Sequence, residues 1–178
     1  KSLIQANIGS ISRIFAVSTR YIKKGIYMYP NSYFNIDLLA SLNEDLESNL
    51  FEIEFSEETA SFKETSEKVD SGVIYKQVVE CIISKDYTTR NGQFNSITTD
   101  KAIVFAFDQN NLCHVLGIVN IDGSSSGAEV NVSSDTGSTL DSLNHRKLII
   151  TCESPYPSPS LGTLANEFFE IANPEDIV

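Results

Sequence analysis

The chain has 178 residues, 41% of them hydrophobic and 21% charged, a balance that suits one folded domain and argues against global disorder. Its net charge of −11 and pI near 4.5 disfavour nucleic acid and anionic membrane surfaces as partners. No apolar run approaches the roughly 20 residues that a membrane-spanning helix needs.

Residues 11–22 read Ile-Ser-Arg-Ile-Phe-Ala-Val-Ser-Thr-Arg-Tyr-Ile. β-Branched and aromatic residues dominate them, which predicts a strand. Lys24-Gly25 reads as a turn, and residues 26–29 as a short strand closed by Pro30. Ile36, Leu39, Leu42 and Leu46 fall near helical spacing and predict a short helix over 35–46. In residues 50–55, Leu-Phe-Glu-Ile-Glu-Phe, apolar and acidic residues alternate after the leading pair. That is a half-buried strand with an acidic outer face. Residues 61–68 are polar and read as an exposed strand or loop. The Val- and Ile-rich run 73–84, after Gly72, reads as a central strand.

Asn91-Gly92 marks a turn in the polar stretch 86–100, where Phe94 and Ile97 would anchor a short helix. The clearest signal follows. Residues 102–107 form a strand, Asp108-Gln109-Asn110-Asn111 a turn, and 112–121 the return strand. Residues 122–142 are rich in Ser, Thr and Gly and read as surface loops around one strand at 128–132. A last strand covers 147–152. Pro155, Pro157 and Pro159 then force an extended segment, and a short amphipathic helix follows over 164–172. The expected fold is mainly β, a β-sandwich or partly open barrel with one or two short helices and an extended C-terminal arm. Residues 1–154 would form the β-rich domain and 155–178 the proline-stiffened arm.

Cys81, Cys113 and Cys152 each lie in an apolar, strand-like run. Three thiols so placed read as buried and reduced, which fits synthesis in a reducing compartment.

Few motifs invite a chemical reading. Asp135-Thr136-Gly137-Ser138 carries the Asp-Thr-Gly of aspartic proteases, which need two such aspartates sharing a proton. A dimer could supply the pair. However, Val-Ser-Ser precedes it in place of an apolar strand, no second copy occurs, and no apolar-apolar-Gly element follows before the prolines. Cys113 and His114 are adjacent, so on a strand they face opposite ways and form no nucleophile–base pair. The histidines and cysteines lack zinc-type spacing. Asp108-Gln-Asn-Asn lacks the alternating ligands and closing Glu of a calcium loop. No glycine run opens a helix as a phosphate site requires. We therefore expect no catalytic residue, no metal, no cofactor, no small-molecule substrate and no enzymatic activity.

Charge placement suggests assembly instead. Residues 1–36 hold five basic residues and no acidic one, whereas 37–70 hold eleven acidic residues and two lysines. Opposite charges on mating faces set register between subunits. The candidate contacts are Arg13, Arg20, Lys23 and Lys24 on the basic side and Glu52, Glu54, Glu57 and Glu58 on the acidic side. Leu164, Phe168 and Phe169 of the C-terminal arm are candidate docking anchors.

The order of elements from Gly72 to Pro159 also carries a resemblance. It runs from Gly-Val-Ile-Tyr and a long strand through Ala-Ile-Val-Phe-Ala-Phe-Asp-Gln-Asn-Asn and His-Val-Leu-Gly. Asp-Thr-Gly in a Ser/Thr loop follows, then Asn-His-Arg-Lys-Leu-Ile-Ile-Thr-Cys-Glu-Ser-Pro. This resembles a group of small structural proteins of tailed bacteriophages of Bacteroidetes-type hosts, encoded among head–tail and tail genes. The resemblance covers about half the chain. It implies a virion subunit of the neck, tail or an associated ring, assembled in the host bacterial cytoplasm. Its partners would be other virion proteins and copies of itself. Two other readings stand beside it. One is a β-sandwich adhesin or carbohydrate-binding module, with Tyr27, Tyr29, Tyr33 and Tyr156 stacking on sugars. The other is a dimeric aspartic protease built on Asp135.

Overall fold

The computed structural model describes residues 10–21, 50–83, 92–117, 127–135, 145–158 and 160–161. The fold is mainly β, as the sequence predicts. Its strands are β1 (Ile11–Ser18), β2 (Phe51–Glu52), β3 (Ser61–Val69), β4 (Gly72–Ile83), β5 (Ala102–Asp108), β6 (Cys113–Leu116), β7 (Glu129–Asp135), β8 (His145–Ser154) and β9 (Ser160–Leu161). Among the described residues one α-helix, α1 (Gly92–Thr99), lies between β4 and β5. A five-stranded sheet has the order β2-β1-β5-β6-β9, and a four-stranded sheet the order β3-β4-β8-β7. Every pairing in both is antiparallel.

The two sheets face each other across one core. Ile14, Ala16, Val104, Ala106 and Leu116 of the first sheet share it with Val79, Cys81, Ile83, Leu148, Ile150 and Cys152 of the second. Alternation along each strand puts these residues inward. Each large apolar side chain so buried contributes roughly 1.5–3 kcal/mol. Phe94 and Ile97 of α1 enter the same cluster, which is why so short and polar a segment holds a helix. β5 is buried on both faces: Ile103, Phe105 and Phe107 turn away from this core, with Phe15, Val17 and Val115, and are buried too. Phe15 and Phe107 meet edge to face at 6.0 Å there.

The sheets join at both sides, so the sandwich is partly closed. On one side residues 53–60 cross over. Ile53 N–H donates to Ile14 C=O in the first sheet, and Ser56 N–H to Ile82 C=O in the second, both at 2.8 Å. On the other side Ala102 and Ala128 form an isolated bridge, with N···O distances of 3.0 and 2.7 Å. Gly117 sits against this bridge with φ +101, and a Cβ there would lie 2.6 Å from Ala102 O. The close approach of two backbones therefore requires glycine.

The predicted elements fare unequally. The 102–121 hairpin forms, but its ladder stops at Leu116 because Gly117 turns the chain towards Ala128. Asp108 fixes the turn: its Oδ1 accepts the N–H groups of Asn110 at 2.8 Å and Leu112 at 2.9 Å. β4 is a central strand, and the polar run 61–68 lies within an edge strand. Alternation across 51–55 is as expected, although only Phe51 and Glu52 enter a ladder. Described residues beyond the expected boundary at 154 also reach the first sheet. Ser158 Oγ donates to Val115 C=O at 2.9 Å, and β9 pairs with β6. The turn at Lys24-Gly25, the strand at 26–29, Asn91, the return strand beyond Gly117, the loops within 118–126 and 136–144, and the helices at 35–46 and 164–172 lie outside the described residues.

Candidate assembly surface

Arg13 and Glu52 engage each other within the chain. β1 and β2 pair with Phe15 opposite Glu52, which brings Arg13 beside the carboxylate. Arg13 Nε donates to Glu52 Oε1 at 2.8 Å and Nη2 to Oε2 at 3.1 Å, a two-pronged pair. The guanidinium also lies 4.7 Å from the Phe15 ring centre. Arg20 is tied to Asp100 at 3.0 Å, next to a Ser18 hydroxyl that donates to the same carboxylate. Part of the opposition between the basic and acidic segments is thus satisfied inside the fold.

The acidic residues converge. Glu52, Glu54, Glu57 and Glu58 line one groove of about 470 Å³ with Ile11, Ser12, Ile53, Phe55 and Gln109. Its wall is held by the 56–59 turn: Thr59 Oγ1 donates to Ser56 C=O at 2.6 Å and accepts the Ile82 N–H at 3.2 Å. Glu58 takes φ +59 in that turn. Lys23, Lys24, Leu164, Phe168 and Phe169 lie outside the described residues.

Sequence reasoning named no surface on the second sheet, yet much of the exposed charge is there. Lys76 contacts Glu67 at 2.8 Å and Glu153 at 4.0 Å, and Lys147 contacts Glu80 at 2.8 Å. The Lys76 ammonium holds the Glu67 carboxyl below its usual range, and Glu67 raises Lys76 in turn. β8 accompanies β4 only as far as Tyr75, paired with Ser154. Beyond it, among the described residues, no third strand accompanies the β3–β4 ribbon to its turn, and Val73 is 39% exposed. The signal in the sequence is the pair of charged doublets Lys63-Glu64 and Glu67-Lys68 in an otherwise polar run.

Cys113 is buried on one face of β6, and its neighbour His114 turns to the other, stacked on Phe62 at 4.5 Å. His114 Nε2 lies 3.6 Å from Asp108 Oδ2. Burial pushes the Cys81 thiol up to about 12, and burial with the nearby Asp108 charge pushes Cys113 higher still. Asp135 ends β7, in register with His145 of β8, and Thr136-Gly137-Ser138 lie outside the described residues. Among the described residues no three His, Cys, Asp or Glu are grouped to hold a metal ion, and no helix is long and apolar enough to cross a membrane. Compared with known families, curated proteins and solved structures, the chain matches none.

Proposed function

We propose that this chain is a non-catalytic structural subunit that acts by assembling with other chains, as part of the neck, tail or an associated ring of a tailed-phage virion. The observation that carries the assembly reading is the β3–β4 ribbon. Among the described strands it has no further neighbour beyond Tyr75, and it exposes Val73 near its turn. Two strands alone are marginal in water, and packing on a neighbour would stabilise them. The glutamate groove offers a second charged surface of the kind that steers and registers subunits. The virion setting is supported by the resemblance over 72–159.

The test is mass measurement of the purified protein, alone and mixed with the structural proteins encoded beside it. The expected result is a defined complex that weakens as salt rises. A strict monomer that binds none of them would overturn the proposal.

A further inference from the structure

Among the described strands, β3 presents the longest backbone edge without a neighbour. It ends its sheet, and Ser61, Lys63, Thr65, Ser66, Glu67 and Lys68 are all exposed. The turn to β4 has two residues, Asp70 and Ser71, between the paired Val69 and Gly72. A pair flanking so short a turn exchanges both its hydrogen bonds, and the register runs unbroken to Ser61. The odd residues of β3 therefore spend their N–H and C=O groups on β4. Those of Phe62, Glu64, Ser66 and Lys68 point outward.

We propose that this edge pairs with the same edge of a second copy, joining two four-stranded sheets into one of eight strands. The proposal deepens the assembly reading by naming a surface and its partner. The sequence Lys63-Glu64-Thr65-Ser66-Glu67 is self-complementary about a two-fold axis through Thr65. That axis sets Thr65 opposite Thr65 and Lys63 opposite Glu67 twice, while Glu64 and Ser66 exchange the outward backbone bonds. Thr–Thr and opposite-charge pairs are the favourable cross-strand combinations. Among the described residues Lys63 makes no ion pair, and Glu67 has a second carboxylate oxygen beside the one Lys76 contacts.

The other symmetric registers centred within 63–68 are disfavoured. An axis through Glu64 or Glu67 opposes Glu to Glu, and one through Lys63 or Lys68 opposes Lys to Lys. An axis through Ser66 calls on Glu64, which already accepts from the Ser158 N–H at 2.6 Å and the Gln77 amide at 3.1 Å. Charges on edge strands ordinarily block pairing. In this order they select one register.

Sedimentation across a concentration series tests the proposal with Lys63→Glu and Glu67→Lys. Each variant alone opposes like charges at both symmetric positions. The dimer dissociation constant should rise about tenfold to a hundredfold. In an equimolar mixture, a dimer of one Lys63→Glu chain and one Glu67→Lys chain again sets opposite charges against each other at both positions. The mixture should therefore dimerise like the parent. Ser66→Pro removes an outward N–H without touching the β4 ladder, and should also abolish the dimer. A parent chain that stays monomeric, or a mixture no tighter than its components, overturns the edge pairing. An oligomer indifferent to all three variants overturns it too, while leaving assembly through another surface intact.

Discussion

Substituting Gly117 by Ala should unseat the junction between the sheets. Gly117 has φ +101, a backbone region that costs a residue with a Cβ about 1–2 kcal/mol. The added carbon would also stand 2.6 Å from Ala102 O and 3.0 Å from Ala128 N, both backbone atoms, so the bridge itself must move. Three backbone hydrogen bonds meet there: Ala102 N–H to Ala128 C=O, its reciprocal, and Gly127 N–H to Gly117 C=O. At about 1 kcal/mol each, their loss brings the total to about 4–5 kcal/mol. Native stability is about 5–15 kcal/mol, so the loss is a large fraction of it. With a urea slope of about 2 kcal/mol/M, the unfolding midpoint should fall by about 2–2.5 M. Gly72→Ala is the control. Gly72 also has positive φ, at +137, but a Cβ there meets nothing within 4 Å. It should lose about 1–2 kcal/mol from backbone strain alone. A Gly117→Ala midpoint equal to that of Gly72→Ala would refute the reasoning.

Three further outcomes follow from the geometry. Asp108→Ala should cost about 1–2 kcal/mol in urea unfolding by freeing the N–H groups of Asn110 and Leu112, whereas Asp108→Asn keeps the acceptor and should recover most of it. A double-mutant cycle on Arg13→Ala and Glu52→Ala should give a coupling of about 0.5–1 kcal/mol, small because the two side chains are 38% and 33% exposed. The raised thiols make stability sensitive to alkali. A thiol with an ordinary value of 9.0 and a native value of about 12 at Cys81 ionises first in the unfolded chain. Its contribution is therefore full below about pH 9 and lost as pH climbs towards about 12. Urea midpoints should decline across that window, less steeply in Cys81→Val, and an unchanged slope in that variant would contradict the assignment.

How legible the fold was depended on how local each signal is. The Asp108 turn was readable because its hydrogen bonds run between residues two and four apart. Phe94 and Ile97 gave away α1 because both bury on one side of a single helical turn. The end of β6 was not readable, since Leu112 to Ile121 continues as a strand by composition. What stops it is Gly117 meeting Ala102 and Ala128. For the candidate surface, the sequence exposed the imbalance between basic and acidic segments but not that Arg13 would close on Glu52.

The β-rich class, the buried thiols and the central position of 73–84 follow from the chain alone. They rest on alternation and on apolar side chains leaving water, which each residue and its neighbours report. Which strands border one another, that Ala128 crosses to the start of β5, that the proline segment returns to add β9, and that β3 is left as an edge were decided only in three dimensions. Those outcomes depend on backbone groups far apart in sequence finding partners, and residue pattern carries no record of which partner wins.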